Sequence, residues 1–144
     1  MSSPRSDADR VLNAGIALAL DKLVGQGEFY PFGVALTREG RIQVLTANDG
    51  GARPDSNSFM QALEDELAEG ARSGSFVAAA IVADFSFERP AAGGERDAIR
   101  VALESSEGDA VTAYLPYVLV MPGGTRDVRP GELFAQRGER TIFI

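Results

Sequence analysis

Asp84 stands in an otherwise apolar run, IVADFSF (81–87), where a carboxylate is out of keeping with its neighbours. Buried there, it would be desolvated and its pKa raised, which prepares a carboxyl group for acid–base work. Asp49 and Asp55 are the other candidate carboxylates, in the loop-like stretch NDGGARPD (48–55). A few such groups suffice for a glycosidase or a magnesium-dependent enzyme. The plainer alternative for Asp84 is a solvent-facing position at a strand end, or a pairing with arginine.

Most other chemistry is closed to this chain. Its 144 residues include no histidine and no cysteine. That excludes Ser-His-Asp and Cys-His nucleophiles within one chain, the usual zinc ligand sets and any disulfide framework. The single lysine, Lys22, lies in no phosphate-binding loop, and GQG (25–27) lacks a third glycine at dinucleotide spacing. DSNSFMQALEDE (55–66) spaces Asp55, Asn57 and Glu66 like a calcium loop. It has Phe59 and Met60 where a ligand and the turn glycine belong. No cofactor and no metal is expected, and binding is favoured over catalysis.

The binding candidates are aromatic. All three tyrosines sit in two proline-centred clusters, FYPF (Phe29, Tyr30, Phe32) and YLPY (Tyr114, Tyr117). Each proline lacks an amide hydrogen and interrupts a strand ladder, so strand ends or bulges are expected at both. The rings are either a minicore closing one end of a sheet or a pocket or partner hot spot, where tyrosine is enriched.

Charge narrows the partner. The net charge is −7 and the pI about 4.6, which disfavours nucleic acid and anionic membrane. The acidic run EDELAE (64–69) reads as a solvated helix face or a contact for a basic protein. A protein partner or a second copy of the chain, as in a sheet-mediated homodimer, is expected. VLNAGIALAL (11–20) is too polar and too acidic in its flanks for a signal-peptide core. No stretch approaches the ~20 apolar residues of a membrane span. A cytoplasmic location is expected.

The elements that must position these residues follow from periodicity. Residues 1–5 read as a loose tail. A helix over 6–27 has Ser6 as its cap and Leu12, Ile16, Leu20 and Leu23 as its apolar stripe, with Gly25 and Gly27 at its end. FYPFGVALTREGRIQVLTAN (29–48) reads as a hairpin turning at REG (38–40). A second helix follows, capped by Ser56 or Ser58, with Phe59, Leu63 and Leu67 on one face. SFVAAAIVADFSF (75–87) is apolar on both parities, as in a strand covered on two sides. AIRVALESSEGDAVTAYLPYVLV (98–120) reads as a second hairpin. In it Ile99, Val101, Leu103, Val111, Ala113, Leu115, Tyr117 and Leu119 point in, and Arg100 and Glu104 point out. A long loop follows (121–131), and TIFI (141–144) reads as a short final strand.

This is a single α+β domain, with two helices on a mostly antiparallel sheet of five to six strands. Its order, α-β-β-α-β-β-β, resembles the roadblock and profilin-like group of small modules. That resemblance implies a sheet running 2-1-5-4-3, with the first and last main strands adjacent and the two aromatic clusters close together. FYPFGVAL, YLPY and GELFAQ also resemble stretches in uncharacterised small acidic proteins of GC-rich bacteria. A GC-rich source also fits the excess of arginine over lysine.

Overall fold

The computed structural model describes residues 4–46, 56–91, 93–108 and 110–144. Asp49 and Asp55 lie outside them. Two helices and one antiparallel sheet form in the expected order: α1 (Pro4–Gln26), β1 (Phe32–Thr37), β2 (Ile42–Leu45), α2 (Ser56–Arg72), β3 (Phe76–Ser86), β4 (Asp97–Ser105) and β5 (Val111–Val120). Two short strands follow, β6 (Asp127–Pro130) and β7 (Phe134–Arg137).

The sheet runs β2-β1-β3-β4-β5-β6, with β7 also on β5. Its order corrects the one implied by the roadblock resemblance. β1 pairs with β3 (Val34 opposite Ala80), so β3 and β4 separate it from β5. The expected hairpins do form: β1–β2 turns through Gly40 at φ +91°, and β4 pairs with β5 from Asp97 opposite Tyr117 to Leu103 opposite Val111. β3 is central and buried on both faces over most of its length, as its two apolar parities require.

α1 lies across one face of the sheet. It begins at Pro4, a residue suited to the first helical position because its missing amide hydrogen has no helical partner there. Pro4 and Arg5 thus belong to the helix, and Ser6 falls inside it rather than capping it. The buried line is Val11, Gly15, Ala19 and Leu23, with Leu12, Ile16 and Leu20 flanking it half-buried. The expected stripe is displaced because the small residues allow the closest approach. A Cβ at Gly15 would stand 2.9 Å from Val82 Cγ2. Val34, Leu36, Ala78, Ala80, Val82, Ile99, Val101, Leu103 and Leu115 complete this core.

α2 packs on β1 and β3 across the opposite face, burying Leu63 and Leu67 against Ala35, Ala79 and Ile81. Phe76 lies on Gly70, where a Cβ would collide with its ring.

β6 and β7 form one interrupted edge strand. Pro130 faces Tyr117 and Phe134 faces Tyr114, so two residues of β5 oppose three on the edge, a β-bulge. Pro116 lies opposite this bulge, and its carbonyl accepts from Gly131 N–H at 2.7 Å. In an antiparallel ladder the nitrogen and oxygen of one residue point to the same neighbour, so the missing amide hydrogen of Pro116 faces the bulge. Pro31 precedes β1. Both prolines thus sit where a ladder tolerates them.

TIFI is not a strand. The carboxylate of Glu104 on β4 accepts the N–H groups of Thr141 (3.0 Å), Ile142 (3.1 Å) and Phe143 (3.1 Å), and Thr141 Oγ1 donates at 3.2 Å. Arg140 holds the other side, donating to the carbonyls of Ser105, Gly108 and Phe143. Glu104 does face away from the α1 core, as expected. It is nonetheless only 3% exposed, because this clasped segment covers it.

Candidate functional site

Both proline–aromatic clusters are split between the two faces, YLPY by alternation along β5 and FYPF by the non-strand residues before β1, where Phe29 and Phe32 share a side that alternation would not give them. From FYPF, Phe29 and Phe32 enter the α1-side core, with ring centroids 5.8 Å apart, edge to face. Tyr30 goes the other way and is 56% exposed, resting 6.3 Å from Phe59 of α2. From YLPY, Tyr117 enters the α1-side core and Tyr114 the opposite face. The five aromatics therefore form no single site. Phe29, Phe32 and Tyr117 are packing residues.

Tyr117 also meets Asp84. Both point to the α1 side from β5 and β3, and the hydroxyl donates to Asp84 Oδ1 at 2.6 Å across β4. Partial desolvation raises the Asp84 pKa above the ordinary value, and the negative charges of Asp97 and Glu28 add to this. The Tyr117 hydrogen bond opposes both. Burial, then the bond to Asp84, pushes the Tyr117 pKa far above its ordinary value. At neutral pH Tyr117 is therefore a neutral donor and cannot act as a base. Asp84 otherwise lies in the solvent-facing end of its strand, and no arginine pairs with it among the described residues.

On the second face, Tyr114 anchors a group that the sequence reading missed. Its ring stacks on Phe134 of β7 at 5.2 Å and 18°, and meets Phe85 edge-on at 5.3 Å. Phe87 joins all three, 5.5 Å from Phe85, 6.3 Å from Tyr114 and 6.3 Å from Phe134. Tyr114 is 8% exposed and Phe134 43%, so the group forms a ridge rooted in the sheet and open to solvent. Its members come from β3, the loop residue just after it, β5 and β7. The signal was the alternation in ADFSF, which sends Phe85 and Asp84 to opposite faces, but nothing local brings Phe134 beside Tyr114.

A cavity of about 280 Å³ lies on one flank of the ridge, between α2 and the clasped C-terminal segment. Tyr114, Arg100, Glu64 and Gln136 line it. Arg100 is half-buried, and its guanidinium carries no hydrogen bond or ion pair among the described residues. The Glu64 pKa is raised by desolvation, then by the charges of Asp65 and Glu104. On the other flank a cavity of about 520 Å³ is lined by Phe87, Phe134, Pro116, Leu133, Glu95 and Glu132, among others. No group of three or more Asp or Glu with metal-binding geometry occurs among the described residues. Among the described residues no helix is long and apolar enough to cross a membrane.

Compared with protein-family models, curated proteins and solved structures, the chain has no significant match.

Proposed function

We propose that this domain works by binding a protein partner on its second sheet face, without catalysing a reaction on it. The observation that carries this is the ridge of Phe85, Phe87, Tyr114 and Phe134 beyond the reach of α2, which packs on β1 and β3. Rings rooted in a sheet lose little entropy on docking and bring large apolar area, as binding hot spots do. The net charge of −7 favours a basic partner. The test is photo-crosslinking from benzoylphenylalanine placed at position 134, with the exposed helix position Ala17 as control. The expected result is one partner captured from 134 and none from 17. Equal capture from both positions, or none from 134, would overturn the reading.

A second reading, a small-ligand site, is favoured by Arg100 beside Tyr114 in the smaller cavity. An unpaired, half-buried guanidinium is a ready partner for a carboxylate or phosphate group.

A further inference from the structure

The larger cavity has a chemical bias of its own. Phe87 and Phe134 wall it with stacked rings 6.3 Å apart, and Pro116 and Leu133 add apolar surface. Two carboxylates share this lining, Glu95 from the β3–β4 loop and Glu132 from the bulge between β6 and β7. Neither carboxylate has a hydrogen bond or ion pair among the described residues.

The Glu95 carboxylate lies close to two glycines. A Cβ at Gly131 would stand 2.9 Å from Glu95 Oε2, and one at Gly93 would collide with the same carboxylate. The carboxylate thus lies against bare backbone on two sides, at the bulge that Pro116 requires. Arg89 and Arg96 belong to the same loop, but neither lines the cavity.

Aromatic faces attract cations through their quadrupole, and carboxylates attract them by charge. A planar guanidinium satisfies both at once, stacking on a ring while its edge donates to a carboxylate. We propose that this cavity receives an arginine side chain from a basic segment of the partner. The proposal rests on the docking reading and names the chemistry at one end of that face. About 520 Å³ holds the side chain and its flanking backbone.

The probe is the capped peptide acetyl-Gly-Arg-Gly-amide, titrated against the ¹⁵N-labelled protein. Its counterpart carries citrulline, which has the same shape without the charge. The arginine peptide should shift the amides of 93–95 and 131–134 with an affinity about tenfold above that of citrulline. Glu95→Gln with Glu132→Gln should abolish the difference, and Phe134→Leu, which keeps both charges, should reduce it. Thermal unfolding of each variant checks that it is folded. Equal shifts from citrulline, shifts unchanged in the double glutamine variant, or none at about 20 mM peptide would overturn the proposal. Partner crosslinking at position 134 separates the two failures. If crosslinking persists while the arginine preference is absent, the cation pocket falls and the docking face stands. If crosslinking is absent while the preference is present, the partner reading falls and the pocket stands.

Discussion

The two faces of the sheet are built from the same strands and differ in what covers them. The first is closed by α1, whose small residues at Gly15 and Ala19 bring it onto β3, with Phe29, Phe32 and Tyr117 filling one end. The second is closed in pieces. α2 covers β1 and β3, a clasped terminal segment lies over Glu104, and an aromatic ridge with a cavity on each flank occupies the rest. The first face is core throughout. The second is core only under α2 and the clasped segment, and beyond them it presents rings on a rigid support.

Substitutions on the closed face should cost most. Phe32→Ala removes a ring that is fully buried, and about 4 kcal/mol of stability should go with it, read from denaturant unfolding. Gly15→Val forces α1 off Val82 and should cost about 3 kcal/mol by overpacking. If both cost less than about 1 kcal/mol, the first face is not the core.

The clasp comes next. Glu104→Ala leaves three backbone N–H groups without their acceptor and should cost about 2 kcal/mol. Hydrogen exchange at 141–143 should accelerate, while exchange in β3 follows global unfolding. Unchanged exchange at 141–143 would mean that the carboxylate does not hold the segment.

The smallest effect is a pH dependence. The folded-state pKa of Asp84 is raised, so the native state binds more protons than the unfolded one as the carboxyl titrates. Its contribution is fully present below the unfolded value near pH 4 and declines as pH rises through the folded value. Asp84→Asn keeps an acceptor for Tyr117 and removes the charge. It should gain stability relative to the parent between pH 4 and neutrality, with no further gain above. A gain that grows toward acid would reverse the sign of the account.

Some of this was legible in the sequence, for identifiable reasons. The β1–β2 and β4–β5 hairpins and the two-sided β3 follow from local alternation and turn residues, which need no distant information. The order of strands does not. Hairpins fix neighbours close in sequence, whereas β1 pairs with β3 across the whole of α2, and only long-range packing decides between β3 and β5 as its partner. The aromatic clusters were visible as composition, but their division was legible only in part: period-two alternation separates Tyr114 from Tyr117, whereas Phe29 and Tyr30 precede β1 and do not follow it. Phe29 and Phe32 become core, Tyr30 stays exposed, and Tyr114 gains partners from β3 and β7. TIFI has the composition of a strand and lacks a ladder because Glu104 takes its N–H groups. A buried carboxylate gripping a backbone leaves no local signature, since in sequence Glu104 alternates as an outward residue should.

The most direct test of the division between the faces is denaturant unfolding of Phe87→Ser with Phe134→Ser, measured beside Phe32→Ser. If the ridge serves docking, the double variant should lose about 2 kcal/mol, since four ring–ring contacts go at a partly exposed site, and should no longer capture the partner. Phe32→Ser alone should lose at least about 3 kcal/mol. A double variant as unstable as Phe32→Ser would place the ridge in the core and contradict the account.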